Sequence, residues 1–573
     1  MEQTKLSNDA PKKQTKTKIK AVELAKGQRD IGVAEFFSRN RHLLGFDNKK
    51  KALMTTIKEA VDNSIDACEE ANILPEIQVE IIDMKNDRFR VIVEDNGPGI
   101  VKAQIPKIFA KLLYGSKFHK LKMSRGQQGI GISASVMYGQ LTTGRPAKII
   151  SKIHPTEPAN YYELKINTQR NSPEIVKEAM MDWPKDQGTR IELDIEASYQ
   201  GGVQSVDNYL KETAIINPHV TIIYTNPKAQ QIIFPRATEQ KPKEAKEIKP
   251  HPYGVELGVL LDMLKVTEYR TLQAFLQKEF TRVGAGTAKT ICENSALLPT
   301  NYPRRLSREQ VEKLINGIKK TKIISPPTDC ISPIGKELLE KGLKKEINAE
   351  FYCATTRPPS VYRGNPFIVE AAIAYGGDQK KDGAITLMRF ANRVPLLYQQ
   401  GACVVSKSVS GTNWRSYGLS QSAGALPVGP VTLVIHIASV WVPFTSESKE
   451  AIAHYPEIIK EIKRAIQECG RMLGSYVNKK KRVNDEFKKR SYIEKYIPHV
   501  AEALKELLGN VDTRQVEIIL KEILEFKRGK IDDMKFDPTK NVHYDEKLAK
   551  IGQDEKPKEE TENNEENKEG GKE

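Results

Sequence analysis

The sequence predicts a multidomain protein of the mixed α/β (α+β) class, and three observations carry this prediction. Two segments with alternating apolar residues, starting at Ile77 and Phe89 and separated by a polar turn, predict a β-hairpin. The apolar run that starts at Val431 predicts a buried strand. A long helix with an apolar stripe, beginning near Ile458, follows that strand. With 573 residues, the chain is long enough for three or four domains and a substantial core.

The composition limits the class of partner and the cellular setting. The formal net charge of +16 favours an anionic partner, most commonly nucleic acid, although a merely basic surface is the alternative. The six cysteines lack paired spacing, which argues against a zinc site and fits a reducing cytosol. The N-terminus has no apolar segment typical of a signal peptide, and the longest apolar run is too short to span a bilayer. We therefore expect a cytoplasmic protein without a membrane partner.

The first motif with chemical meaning is the segment EAVDNSIDA, which starts at Glu59 and has the apolar spacing of a helix. On such a helix Glu59 and Asn63 lie one turn apart on the same face, and Asp66 lies a further turn away. A carboxylate beside an amide can orient a water and bind Mg²⁺. Glu59 is a candidate general base, a role typically worth about 10²–10⁴-fold in rate. The alternative is a polar helix face in solvent.

The second motif is DNGPGI, which places Asp95 at the end of a predicted strand. Such a carboxylate can accept a hydrogen bond from an exocyclic amino group such as that of adenine, and Gly97 and Gly99 allow the backbone to approach a flat base. Thr189 begins another alternating strand, within reach of a second bond to the base. An ordinary turn after a strand is the alternative interpretation.

The third motif, RGQQGIGISAS, has three glycines, Gly126, Gly129 and Gly131, before a predicted helix. Free backbone N–H groups and the positive end of a helix dipole together bind phosphate. The polar, basic stretch 111–122 has the composition of a mobile lid over a nucleotide. Each motif is weak alone, but their joint order predicts a nucleotide site.

This set of motifs resembles the Bergerat-fold ATPases, the GHKL superfamily of gyrase, Hsp90, histidine kinases and MutL. The resemblance implies ATP and Mg²⁺ as cofactors, with Glu59 as general base, Asn63 as Mg²⁺ ligand and Asp95 as adenine reader. No histidine lies in a phosphoacceptor-type helix, which disfavours the histidine-kinase branch. The implied nucleotide contacts are Asn63, Asp66, Asp95, Gly97, Gly99, Tyr114, Gly115, Ser116, Lys117, Gly126, Gln127, Gln128, Gly129, Ile130, Gly131 and Thr189.

Beyond the ATPase segment, a charged linker leads to a compact helical block, for which a DNA-contact module and a plain spacer bundle fit equally well. A second mixed α/β segment follows. Its TSESKE loop places Lys449 at a strand-to-helix junction, from which a lysine can reach a γ-phosphate held by another domain. By default such a lysine is simply solvated.

The order of these parts resembles the B-subunit family of DNA topoisomerase VI over roughly residues 30–490. The resemblance implies that Lys449 is a switch lysine that contacts ATP and supports catalysis. It also implies a DNA contact through Trp414, Arg415 and Tyr417, where arginine replaces the lysine of the family's W-K-x-Y motif. The implied domains are a disordered N-terminus (1–28), a GHKL ATPase domain (29–236), a linker (237–250), a helix–two-turn–helix domain (251–328), an S5-like transducer with a long C-terminal helix (329–487), a helical segment (488–535) and a disordered tail (536–573).

The resemblance implies the ATP-hydrolysing subunit of a type IIB topoisomerase, associated with the nucleoid. Two copies would dimerise on ATP and, with a DNA-cleaving A subunit in an A2B2 heterotetramer, pass one duplex through another, relaxing supercoils and decatenating DNA. The rival is an ATP clamp without strand passage, such as a MutL-like repair protein or an Hsp90-like chaperone. The helical insert and the net charge favour the topoisomerase, and the intact Glu59 disfavours a scaffold without ATPase activity.

Overall fold

The structure is a computed structural model that describes residues 24–25, 28, 30–116, 120–126, 129–446, 448–509 and 512–528. It divides into two compact units, Met1–Arg471 and Met472–Glu573. The tail expected to be disordered lies outside the described residues, as does nearly all of the N-terminal segment 1–28.

The N-terminal part of the first unit is an eight-stranded mixed sheet with helices packed on it. Burial largely alternates along three of its strands (residues 76–83, 159–167 and 188–196), because one face of the sheet is covered by the helices. The sheet order is β5-β4-β3-β6-β2-β1-β7-β8, and of these pairs only β1 and β7 run parallel. The elements are α1 (Val33–Arg39), α2 (Lys49–Glu70), β1 (Glu76–Asp83), β2 (Arg88–Asp95), α3 (Ile105–Ala110), α4 (Gly131–Thr143), β3 (Ala147–Lys152), β4 (Ala159–Asn167), β5 (Ser172–Met181), β6 (Gly188–Glu196), α5 (Val206–Ile216), β7 (Thr221–Thr225) and β8 (Gln231–Phe234).

The predicted hairpin and the predicted helix around Glu59 are confirmed as β1, β2 and α2. Helix α2 begins where the side chain of Asn48 accepts a hydrogen bond from the backbone N–H of Lys51. Its buried face, which includes Ile57, Val61 and Ile65, contributes to the core of this layer. The polar face of α2 is thereby held in a fixed position over the sheet.

A block of four short helices follows, as the sequence predicts. It has its own apolar core, built around Leu260, Phe275, Ile291 and Leu314. Ser307 and Gln310 form a capping box at the start of the last helix, which explains why the chain turns there. The helices are α6 (Leu257–Val266), α7 (Leu272–Glu279), α8 (Ala285–Asn294) and α9 (Arg308–Lys320).

A second sheet of six strands completes the first unit. The run starting at Val431 forms β14, whose nine residues are all buried because it lies between β11 and β12 in the sheet order β10-β11-β14-β12-β13, with β9 also paired to β11. Strands β12 and β14 run parallel. The elements are α10 (Lys336–Glu346), β9 (Phe351–Thr356), β10 (Ser360–Tyr362), β11 (Asn365–Tyr375), β12 (Thr386–Ala391), β13 (Val394–Pro395), α11 (Val404–Ser410) and β14 (Val431–Ser439).

The predicted long exit helix is α12 (Pro456–Leu508), and it is longer than the sequence pattern indicates. The expected boundary between residues 487 and 488 falls inside this helix, so the two predicted segments are continuous. The division between the two units, at Arg471 and Met472, also lies within α12. In the second unit, α13 (Thr513–Arg528) follows, and Arg490 approaches Glu525 at 3.9 Å.

The six cysteines are all free and buried, each at most 4% exposed. Among the helices that the structure describes, none combines the length and the apolar character needed to cross a membrane.

Candidate functional site

A cavity of about 630 Å³ opens in the N-terminal layer, within the size range of ligand sites. It lies between α2, the end of β2, the start of α4 and the first residues of β6, and the loop before α12 closes one side. The structure brings together here most of the residues that the sequence singles out: Glu59, Asn63, Asp95, Gly99, Tyr114, Gly115, Ser116, Gly126, Gly129, Ile130, Gly131, Thr189 and Lys449.

Asp95 is fixed at one end of the cavity by three hydrogen bonds. Its Oδ1 accepts from the backbone N–H of Gly97 at 2.9 Å and of Thr189 at 3.1 Å, and its Oδ2 accepts from the Ser64 hydroxyl at 2.8 Å. Burial raises the pKa of Asp95 above its ordinary value, although these hydrogen bonds oppose the shift. Apolar side chains line the cavity around it: Val93, Ile100, Ile108, Phe109 and Ile191. A flat base with an exocyclic amino group fits this end.

Glu59 lies at the centre of the site, with its side chain 20% exposed. Burial by itself raises the pKa of Glu59, but the ammonium groups of Lys58 and Lys449 outweigh it and hold the pKa below its ordinary value. Lys58 Nζ is 3.4 Å from Glu59 Oε1. Glu59 is therefore ionised at neutral pH, as a general base must be.

The glycine-rich segment forms the opposite end of the cavity. A Cβ placed on Gly131 would lie 1.7 Å from Oε2 of Glu59, so only glycine permits this approach of α4 to the carboxylate. Gly129 has a φ of 56°, in the left-handed region that favours glycine. The first residues of α4 line the cavity, and N–H groups at the start of a helix lack intrahelical partners, which suits phosphate oxygens. Asn63 Oδ1 lies 3.5 Å from the Cβ position of Gly126.

Lys449 reaches this site from a distant part of the chain. Its Nζ donates to the backbone oxygen of Arg125 at 3.3 Å, across a sequence separation of 324 residues. Burial lowers the pKa of Lys449, while Glu59 acts in the opposite direction. The ammonium group is thus held beside both the glycine-rich segment and Glu59.

Some predicted contacts lie elsewhere. Asp66 does not border the cavity, because its carboxylate accepts a hydrogen bond from the buried guanidinium of Arg125 at 2.8 Å. Gly97 is also set back, with its N–H bonded to Asp95. The predictions for Lys117, Gln127 and Gln128 lie outside the described residues.

Arg125 is a structural residue that the sequence patterns did not indicate. Its guanidinium donates to both carboxylate oxygens of Glu69, at 2.7 and 2.8 Å, and to the side-chain oxygen of Asn217 at 2.6 Å. Glu69 in turn contacts His219 at 2.8 Å and Arg393, which follows β12, at 3.6 Å. Ser124 O accepts from the Asn392 side chain at 3.0 Å. The glycine-rich segment is therefore bonded directly to the turn between β12 and β13.

Lys58, Ser64 and Ser448 also line the cavity without having been predicted. Ser64 could have been predicted from the sequence, because it directly follows Asn63. No local pattern marks Ser448 or Lys58.

The expected DNA-contact motif forms a short 3₁₀ turn at Trp414–Tyr417. Trp414 is 0% exposed and donates its indole N–H to the backbone oxygen of Val409 at 2.8 Å. A buried indole has no surface to offer a duplex, so the assignment of Trp414 as a contact residue is corrected to a supporting one. Arg415 is exposed, and Tyr417 packs against Gly470.

The sheet with its covering helices and the cavity that they enclose define a GHKL-type ATPase. Residues 48–197 match the family model described as histidine kinase-, DNA gyrase B- and HSP90-like ATPase. Residues 326–489 match the transducer of the topoisomerase VI B subunit.

Relatives that match most of the chain point to the same family as the transducer match. The chain is 54% identical over 489 residues to the B subunit of type 2 DNA topoisomerase 6 from Methanococcoides burtonii, covering 85% of this chain and 79% of that protein. It is 53% identical over 489 residues to the B subunit from Methanosarcina barkeri, with the same coverage. It is 49% identical over 481 residues to the B subunit from Archaeoglobus fulgidus, covering 84% and 80%.

The chain belongs to the family of type 2 DNA topoisomerase 6 B subunits. It is the ATPase subunit of an ATP-driven type IIB topoisomerase, and the rival clamp without strand passage is set aside. These relatives are archaeal.

Proposed function

We propose that the cavity binds ATP with its base against Asp95 and its phosphates against the glycine-rich segment, and that Glu59 is the general base for hydrolysis. The depressed pKa of Glu59 supports this role, because an ionised carboxylate can accept a proton from water at neutral pH. Asn63 and the backbone N–H groups at the start of α4 orient the phosphates.

The residues present also fit Mg²⁺, although no geometry is assigned to it. Asn63 supplies an oxygen donor, which is the ligand type that Mg²⁺ prefers, and it faces the segment that would hold the phosphates. A bound Mg²⁺ neutralises phosphate charge. Glu59 remains free to hold the attacking water.

Lys449 lies in the loop between β14 and α12. Through this lysine, the part of the chain that contains the second sheet takes part in the reaction. It brings a positive charge to the phosphate end of the cavity, where negative charge develops during phosphoryl transfer. The observation that carries this proposal is the contact of Lys449 with the glycine-rich segment at Arg125. Through this contact, loss of the γ-phosphate is communicated to the loop before α12 and to β14.

The finer domain map and the assembly are part of the same proposal. The segment 29–236 acts as the ATPase domain, 251–328 as the helix–two-turn–helix domain and 329–487 as the transducer. Two copies dimerise through the ATPase domain and join two A subunits, which cleave DNA, in an A2B2 assembly that acts at the nucleoid. Arg415, exposed beside Tyr417, is the proposed DNA-contacting cation, and the net charge of +16 supports DNA as the partner.

Plasmid relaxation tests this function. The chain is combined with the A subunit from the same source, negatively supercoiled plasmid, Mg²⁺ and ATP. We expect relaxation only with ATP and with both subunits present.

The Glu59→Ala variant is the internal control in that assay. We expect it to bind a fluorescent ATP analogue normally while its turnover falls by about 10²–10⁴-fold, together with relaxation. Turnover that survives in this variant would show that the base has been wrongly assigned. ATP hydrolysis without any relaxation by the complete mixture would contradict strand passage.

A further inference from the structure

The loop that carries Lys449 is held to α2 by a second, adjacent contact. Lys51 Nζ lies 2.5 Å from Oε1 of Glu450 and 3.1 Å from Oδ1 of Asp47. The side chains of Lys51 and Glu450 are 13% and 7% exposed. The ammonium group also lies 5.6 Å from the centroid of the Tyr398 ring. Lys51 thus contacts the segment before α2 through Asp47, the loop before α12 through Glu450, and the segment after β13 through Tyr398.

The burial of this ion pair makes it more than a surface salt bridge. Exposed pairs contribute about 0–1 kcal/mol, because water screens both charges. Removal of one member of a buried pair is more disruptive, because the remaining charge loses a partner in a poorly solvated place; without Glu450, Lys51 would keep only Asp47. The position of Glu450 is therefore tightly coupled to that of Lys51.

The backbone at Lys449 needs such support. Lys449 has a φ of 53°, a left-handed conformation that is unfavourable for a side chain other than glycine. The loop is closed by backbone bonds from Lys449 N to Ser446 O and from Thr445 N to Ala451 O. These bonds keep the loop closed on itself, but they do not attach it to the ATPase layer, which is the eight-stranded sheet with its covering helices (residues 33–234). The Lys51–Glu450 pair does attach it, one residue away from Lys449.

Helix α2 carries both this attachment and the proposed general base. Lys51 and Glu59 are eight residues apart, which corresponds to about 12 Å along one rigid helix. A loop fixed to Lys51 is therefore fixed in the same frame as Glu59. Since catalytic rate is sensitive to misplacement of about 1 Å, this attachment is directly relevant to hydrolysis.

We propose that Lys51 and Glu450 are positioning residues for ATP hydrolysis, and that their ion pair holds the loop so that Lys449 lies at the phosphate end of the cavity. This inference rests on the proposed role of Lys449. It assigns no contact with the nucleotide to either residue, so binding of the nucleotide is expected to be independent of the pair.

A double-mutant cycle on the full chain tests the proposal. We expect Lys51→Met and Glu450→Gln each to lower kcat for ATP about tenfold, with the Kd for a fluorescent ATP analogue within about twofold of the unmodified protein. The double variant should be no slower than either single variant, because both changes remove the same interaction. Lys51→Arg, which keeps the charge, should retain most of the activity.

Lys49→Ala is the matched control. Lys49 lies in the same turn of α2, but its ion-pair partners, Asp87 at 2.9 Å and Glu196 at 2.6 Å, belong to the ATPase layer. We expect its kcat to be unchanged. Melting temperatures are recorded for every variant, and turnover is measured well below them, so that loss of folding is not mistaken for loss of positioning.

The outcomes separate this inference from the proposed function. If Lys449→Ala lowers kcat but Lys51→Met and Glu450→Gln do not, the ion pair has no positioning role. Additive losses in the double variant would also overturn the proposal, since they would mean that the two residues act independently. If Lys449→Ala itself leaves turnover unchanged, the switch role of Lys449 fails first.

Discussion

Gly131 occupies a position where any side chain would meet the carboxylate of Glu59, since a Cβ there would lie 1.7 Å from Oε2. We expect Gly131→Ala to displace the carboxylate by more than about 1 Å and to lower kcat for ATP by about 10²-fold. Steady-state ATPase kinetics, together with direct nucleotide binding, would separate this effect from a loss of affinity.

Gly286→Ala is a suitable control for that change. Gly286 lies in the first turn of α8, and its Cβ position has no atom within 4 Å. This substitution should leave turnover unaffected. Equal kcat values for the Gly131→Ala variant and the unmodified protein would show that Glu59 tolerates the shift or does not act as the base.

For single residues, the sequence predicts those whose spacing places them on one face of a helix or at the end of a strand. Glu59 and Asn63 are one helical turn apart, and Asp95 ends an alternating strand, so their convergence was foreseeable. Lys58 points to the same cavity, but a lysine on a helix is ordinarily solvated and carries no signal. Asp66 has the right spacing yet is used by Arg125, a partner 59 residues away that no local pattern identifies.

Among the elements, α5 carries a buried acid with a consequence for stability. Glu212 is 5% exposed and accepts a hydrogen bond from the Asn208 side chain at 2.8 Å. Burial raises the pKa of Glu212 to about 7. Because the folded pKa lies above the ordinary value, the protonated form favours folding. That stabilisation is complete below the ordinary pKa of a glutamate and is lost as the pH rises through about 7.

We therefore expect Glu212→Gln to raise the melting temperature at about pH 8.5, where the unmodified protein carries a buried charge that costs about 3 kcal/mol. The difference should shrink as the pH falls towards about 4.5. Thermal unfolding at several pH values would measure it. Glu174→Gln, on the exposed part of β5, is the control for the substitution itself, and a constant difference for Glu212→Gln at all pH values would contradict the assignment.

Element type was largely predictable, and element ends were less so. Alternating burial on β1 and the continuous burial of β14 follow directly from their apolar patterns, whereas the last five residues of β2 are all buried and do not keep the alternation that its sequence predicts. The domain boundary expected at residues 487–488 lies inside the continuous helix α12, and the sequence pattern does not show this continuity for a physical reason. The stretch from Lys479 to Lys489 is so polar that its apolar periodicity fades, yet its lysines, arginine and glutamate are good helix formers.

For the molecule as a whole, a buried polar network around Glu69 connects the ATPase layer with the second sheet. Arg393, bonded to Ser332, also donates its backbone N–H to His436, which contacts Glu370 at 2.8 Å. Burial by itself would raise the pKa of Glu69, but Arg125 and His219 hold it well below its ordinary value. The resulting stabilisation is present at neutral pH and is lost as the pH falls through the depressed pKa.

Glu69→Gln should accordingly lower the free energy of unfolding by about 3–5 kcal/mol at neutral pH, because it leaves two buried guanidinium groups with too little negative charge. Chemical denaturation would measure the loss, which should diminish in acid. Glu70→Gln is the matched control, since Glu70 is exposed and lies 3.6 Å from Lys122. A loss below about 1 kcal/mol for both variants would mean that the network is not stabilising.

Contacts of this range are the part of the structure that local sequence patterns do not reveal. The hydrogen bond from Lys449 to Arg125 O involves a main-chain atom, so the residue type at position 125 does not predict it. The family resemblance, and not periodicity, is what pointed to Lys449. The Lys51–Glu450 pair has no such precedent in the sequence and emerges only from the three-dimensional arrangement.

The six buried thiols have a practical consequence. They lie in α2, α8, β9 and α12 and in the loops before α10 and α11, at positions 68, 292, 353, 469, 330 and 403. A thiol reagent can modify such groups only when the surrounding structure opens, so the labelling rate at each site reports the free energy of local opening there. The protein thus carries an intrinsic set of probes for mapping which region loosens during the ATPase cycle.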